Sequence, residues 1–165
     1  IDRLAAEITL MEPDHPDAPV YRARACIFVG NSSCVAEQIK RLKLLGQTLV
    51  ASVLEARLAA QSGRNDQAKQ LVQAGLKMGG PRHRFFLKNA LRVALAVEDH
   101  SLALKLIDHL WVQSAGRIKE STEALSLKGK TESRFKRYDE AIRAYEQASA
   151  LDPRPAFTLR TWPGR

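Results

Sequence analysis

The stretch LSLKGKTESRFKRYDEAIRAYEQASALDPRP, Leu125 to Pro155, decides the fold. Leu125 and Gly129 lie four apart, and after Phe135-Lys136-Arg137 the pattern resumes at Ala141, Tyr145 and Ala148. Spacings of three and four place these residues on one face of each of two helices. Asp152-Pro153 then stops the second helix, because proline cannot continue the hydrogen-bond ladder. Two helices, a tight turn and a stop fill about the length of one 34-residue helical repeat.

The same pattern extends through the chain, and strand signals are nearly absent. Turn and stop residues divide it into nine expected helices, at about 1–11, 18–29, 33–45, 48–62, 65–78, 83–97, 100–114, 118–135 and 138–150. The breaks are Glu12-Pro13, Gly30-Asn31-Ser32-Ser33, Gly46, Gly63, Gly79-Gly80-Pro81, Glu98-Asp99-His100 and Asp152-Pro153. Helices pair, and an alanine stands near the start of each second helix: Ala36, Ala68, Ala103 and Ala141, at spacings of 32, 35 and 38. Small side chains let paired helices approach closely, with Gly129 opposite Ala141 and Ala56 opposite Ala68 as expected crossings. Such hairpins cannot bury their apolar faces alone and must stack.

Residues 122–155 resemble a tetratricopeptide repeat (TPR), in Leu125, Gly129, Ala141, Tyr145, Ala148 and Pro153. Leu125 stands where the family usually has tryptophan, and Lys128 and Glu132 stand where leucine and tyrosine are usual. Earlier units match less closely; the one around Ala103 has Glu98 where a turn glycine is expected. The resemblance implies an all-α fold, a right-handed superhelix (α-solenoid) of stacked antiparallel helix pairs with about four repeats. These are residues 17–46, 48–81, 84–117 and 122–155 of a single domain, with 1–16 the end of a preceding repeat and 156–165 a tail or the start of a further helix. The chain is therefore expected to be a fragment of a longer array.

In that family first helices line a concave face, so the resemblance implies a peptide-binding groove. By position its candidates are Tyr21 and Phe28, then Val53 and Arg57, then Lys88, Asn89 and Arg92, and finally Ser126, Lys130 and Arg134. Such a groove is expected to be aromatic near its N-terminal end and basic toward its C-terminal end. An acidic segment with one or two large apolar anchors suits both ends, since arginine grips a carboxylate with two parallel hydrogen bonds. Val53 and Ser126 stand where a carboxylate-clamp donor would be needed, which argues against binding a chaperone tail.

Bulk composition agrees with a folded chain: 45% hydrophobic and 27% charged residues in 165, with a formal net charge of +8. Residues 1–46 are balanced at six Lys/Arg against six Asp/Glu, and residues 47–165 carry the excess. A basic balance suits an acidic partner, whether peptide, nucleic acid or anionic surface. Acidic residues such as Glu120, Glu123, Asp139 and Glu140 interrupt the field, and no recurring base-reading set stands out, so specific nucleic-acid binding is not expected. No apolar run is long enough for a membrane span. No leader pattern stands at the start, and a cytoplasmic location is the default expectation.

No catalytic residues, metal ligands or cofactors are expected. His15, His83, His100 and His109 lack ligand spacing, and Gly79-Gly80-Pro81 lacks the lysine and hydroxyl of a phosphate loop. Cys26 and Cys34 flank a helix–turn–helix; ordinary thiols are expected, with a bridge as the alternative. The expected function is a non-catalytic protein-interaction scaffold. The alternatives are a docking portion of a larger enzyme such as a transferase, and a nucleic-acid or anionic-surface binder. Exposed ends, including Phe157, Leu159 and Trp162, offer a route to self-association.

Overall fold

A computed structural model describes residues 17–153, and among them every regular element is helical. Eight α-helices follow in order: α1 Ala18–Phe28, α2 Ser32–Leu44, α3 Thr48–Gln61, α4 Asn65–Lys77, α5 Arg84–Ala96, α6 His100–Ser114, α7 Ile118–Arg134 and α8 Tyr138–Leu151. A short 3-10 turn, Gly80–Arg82, joins α4 to α5. Each lies within one residue of its expected bounds. The expected helix at 1–11 and the tail at 156–165 lie outside the described residues. None of the helices is long and apolar enough to cross a membrane.

One turn geometry recurs. After α1, α2, α3, α5 and α7 a residue adopts left-handed backbone: Gly30, Gly46, Gly63, Glu98 and Lys136. The next N–H then reaches back five residues, in Asn31 to Cys26, Gln47 to Leu42, Arg64 to Ala59, Asp99 to Ala94 and Arg137 to Glu132, each at 2.9 Å. This satisfies carbonyls that the helix end leaves open. Glycine reaches such φ values without a Cβ clash. Glu98 at φ 55° and Lys136 at φ 60° adopt the same conformation against that clash. Hence the turn at Glu98 forms without the glycine that the pattern leads one to expect.

The described residues divide into two compact units, 17–99 and 100–153. In the first, α3 packs against α1, α2, α4 and α5. Val20, Ala23 and Ile27 of α1, Val35, Ile39 and Leu42 of α2, and Val50, Ala51 and Leu54 of α3 form one buried cluster. Phe86 is fully buried against Gly75 and Gly80, where a Cβ would collide with its ring. In the second unit α7 packs on both α6 and α8. A Cβ on Gly129 would come within 2.7 Å of the Tyr145 ring, so the close approach runs from the glycine to that ring. Ala141, Ala148 and Leu125 are buried, and the exposed Pro153 follows the end of α8.

The cysteines depart from expectation. Cys26 and Cys34 are disulfide-bonded, with Cα atoms 5.9 Å apart, because the α1–α2 turn returns the chain on itself within eight residues. Such bridges persist in oxidising compartments and are rare in the cytosol, which runs against the cytoplasmic default. At the same hairpin Asn31 caps α2, its side-chain oxygen accepting from Cys34 N–H at 3.0 Å.

Candidate functional site: an arginine cluster on α1, α3 and α5

The expected groove residues have different fates in the first unit. Val53 is fully buried, so it belongs to the core and offers no groove surface, a correction to its expected place. Its neighbours α2, α4 and α5 enclose α3 on several sides, and the residue directly inward on such a helix cannot reach solvent. Tyr21 and Phe28 are exposed on α1, Phe28 by 73%. Asn89 is buried, and its hydrogen bonds are internal. Its Nδ2 donates to the Phe85 carbonyl at 2.8 Å, while its Oδ1 accepts from Arg57 Nη1 at 3.0 Å.

That hydrogen bond fixes one arm of a half-buried guanidinium. Burial pushes the Arg57 pKa down to about 10, and repulsion from Arg92 and then Arg24 adds to the shift. Three arginines therefore share one field, from α1, α3 and α5. Helices α1 and α5 both pack on α3, which explains the convergence. None of the three makes an ion pair with a carboxylate among the described residues. Two other cations of this unit are paired, Lys43 with Glu55 and Lys69 with Asp99, each at 3.0 Å. Like charges left together without a counter-ion are unfavourable, so the cluster suits a ligand that supplies negative charge.

Arg24 was missed in the sequence, although a signal was present. Arg24, Arg57, Arg92 and Lys130 follow Ala23, Ala56, Leu91 and Gly129, at spacings of 33, 35 and 38. A cation thus recurs at one register of successive first helices, beside the alanine period of the second helices. Tyr21, Arg24 and Phe28 share one face of α1, at offsets of three and seven. The cluster is therefore bordered by exposed aromatic rings. Lys88 is half-buried one helical turn before Arg92 on α5.

In the second unit Lys130 and Arg134 are exposed and Ser126 is half-buried on α7. Several charges there are used internally. Glu132 is almost fully buried, and its carboxylate lies 2.9 Å from His100 Nε2 and 3.5 Å from Arg137 Nε. Arg137 also reaches Glu140 at 3.0 Å, and Arg117 reaches Glu120 at 2.9 Å. The bond to Arg137 holds the Glu140 carboxyl below its ordinary range. A cavity of about 510 Å³ opens beside α6, α7 and α8, lined by Trp111, Leu125 and Leu151 among others. Asp108 and Lys128 both border it, so it carries no single sign of charge.

Two of the described histidines have structural work. His83 caps α5, Nδ1 accepting from Phe86 N–H at 3.2 Å, and His100 lies 2.9 Å from the Glu132 carboxylate with its ring tilted against Phe135 at 4.8 Å. Among the described residues no cluster of His, Cys, Asp and Glu is placed to hold a metal ion. No protein-family model matches the chain, and no curated protein sequence matches it.

Proposed function

We propose that the chain is a TPR-like α-solenoid of about four repeats that binds an acidic segment of a partner protein on its first helices. The observation that carries this reading is the arginine cluster of Arg24, Arg57 and Arg92, half-buried at its centre and without a carboxylate partner among the described residues. The recurring turns and the Gly129–Tyr145 approach support the repeat reading. Tyr21 and Phe28 supply apolar surface beside the charge, where an acidic segment with a large apolar anchor would rest. The same surface would serve a free-standing scaffold or the docking portion of a larger enzyme such as a transferase.

Fluorescence anisotropy with a labelled peptide of clustered Asp and Glu next to Trp or Leu tests it. Hydrogen bonds to charged groups contribute about 1.5–3 kcal/mol, so Arg57→Glu with Arg92→Glu should weaken binding more than tenfold. Unchanged affinity would sink the reading. The formal net charge of +8 favours a second reading, binding of a polyanion such as RNA or DNA. A steep linear fall of log affinity with log salt, retained for oligonucleotides and absent for acidic peptides, would decide for it.

A further inference from the structure

We infer that the Cys26–Cys34 disulfide is a site of reversible thiol–disulfide exchange with an external dithiol, entered through the sulfur of Cys34. This stands apart from the acidic-partner reading, and neither depends on the other. Access comes first, because exchange begins when a thiolate reaches one of the two sulfurs. Both cysteines are half-buried, and the chain between them is exposed from Phe28 through Ser33. Cys26 rests against the buried cluster that includes Val20, Ile27 and Val35, whereas Cys34 stands in the first turn of α2 beside that exposed segment.

The two sulfurs also sit at helix ends of opposite sign. Cys34 is the third residue of α2, and its N–H is held by the Asn31 side chain at 3.0 Å. A helix start carries partial positive charge from its open N–H groups, and no acidic residue stands in the first turn of α2 to offset it. Cys26 lies in the last turn of α1, where no basic residue stands and its own carbonyl accepts from Asn31 N–H at 2.9 Å. Negative charge on sulfur is therefore favoured at Cys34 and opposed at Cys26, and the thiolate is the reactive form. Arg22 and Glu37, one turn from Cys26 and Cys34, act against this asymmetry, and thiol mapping weighs them against the helix ends.

In reduction, one thiolate of the dithiol bonds to the Cys34 sulfur. The Cys26–Cys34 bond breaks, and its electron pair leaves on Cys26, which takes up a proton. The second thiolate of the dithiol then attacks the first in that mixed disulfide and releases Cys34 as a thiolate. Two electrons have passed to the chain, and the dithiol has become a disulfide. Oxidation retraces the path, with Cys34 attacking and Cys26 closing the bridge. Closure is favoured because the hairpin is held by more than the bridge. Ile27, Val35 and Ile39 pack in one buried cluster, and the Asn31 hydrogen bonds to Cys26 and Cys34 involve neither sulfur.

The test reduces the full chain with dithiothreitol in native buffer and in urea, counting free thiols by maleimide mass shift. A bridge that opened only on unfolding would exchange more slowly in native buffer by the unfolded fraction, a factor of roughly a thousand or more. The native rate should instead fall within roughly a hundredfold of the urea rate. Helical circular dichroism should persist after reduction, and oxidised dithiothreitol should restore the bridge in a monomer. With excess glutathione, peptide mapping after an acid quench should find the mixed disulfide on Cys34 and the free thiol on Cys26.

A native rate below that hundredfold limit would make the bridge a sealed structural link and overturn the inference. Loss of helix on reduction, or disulfide-linked dimers on reoxidation, would overturn it equally. Glutathione on Cys26 would show entry through the other sulfur and overturn the assignment to Cys34. Single variants read the same assignment a second way. The thiol left in Cys26→Ser should react with iodoacetamide several-fold faster than the thiol left in Cys34→Ser, and the reverse order would overturn it.

Discussion

The two compact units are built from similar helices and differ in where particular charges are paired. Over the whole sequence both carry the same excess, residues 1–99 having fourteen Lys/Arg against ten Asp/Glu and residues 100–165 twelve against eight. The second unit ties Glu132, Glu140 and Glu120 to nearby cations. The first leaves three arginines together without a carboxylate. Charge that is paired inside a unit holds the fold together, and charge that is left unpaired is available to something else. The stretch whose sequence pattern is clearest, Leu125 to Pro155, is therefore not the one that carries the arginines.

Removing charge should accordingly have opposite consequences in the two units. Glu132→Ala empties a buried site and breaks the hydrogen bond to His100, so urea denaturation should find a loss of about 2–3 kcal/mol. Arg92→Gln should cost nothing and add up to about 0.5 kcal/mol, because it relieves repulsion on Arg57. A loss of stability on Arg92→Gln would break the contrast.

The disulfide belongs to the first unit alone. Replacing Cys26 and Cys34 by serine should lower stability by about 2–3 kcal/mol, the loop-closure value for a short cross-linked loop. Identical denaturation curves with and without reductant would show that the bridge does not stabilise the α1–α2 hairpin.

Packing at the glycines gives a subtler difference. Gly75→Ala pushes against Phe86, which is fully enclosed, and overpacking of this kind costs about 1–3 kcal/mol. Gly129→Ala pushes against Tyr145, which is 39% exposed and has room to swing outward. The second substitution should be the milder in thermal melts. Equal losses would show that Tyr145 is held as firmly as Phe86.

Each unit also has a residue in left-handed backbone that is not glycine. Glu98→Gly and Lys136→Gly should each raise stability by about 1 kcal/mol, by removing the Cβ clash. A decrease at either site would mean that its side chain makes a contact worth more than the strain.

The smallest effect concerns pH. Burial and two neighbouring cations hold the Arg57 pKa at about 10, below its ordinary value, so the folded state disfavours the charged form. The unfolded chain binds that proton more tightly, and stability attributable to Arg57 should rise as pH climbs above about 10. Anion affinity should fall over the same range as the guanidinium loses its proton. Comparison with Arg57→Gln isolates both trends from other titrating groups.

The helices were legible because their signals are local. Apolar spacing, glycine turns and Asp152-Pro153 place every described helix within one residue of its expected bounds. Even Glu98 did not disturb the pattern, since a helix end can impose left-handed backbone on a residue other than glycine. The site was half legible. Of the three arginines that share a field, the sequence pattern singled out Arg57 and Arg92, and not Arg24, although it lies on the same period. Val53 was misplaced because periodicity gives a face, while enclosure by α2, α4 and α5 decides whether that face is open.

The sequence by itself determined the number, length and turns of the described helices, since those depend on neighbours a few residues apart. Only the tertiary structure decided that Cys26 and Cys34 are joined, that Asn89 grips Arg57, and that Glu132 is paired while the three arginines are not. Pairing depends on which side chains packing brings together across 32 residues or more, as it does for Arg57 with Asn89 and His100 with Glu132. No local pattern encodes that distance.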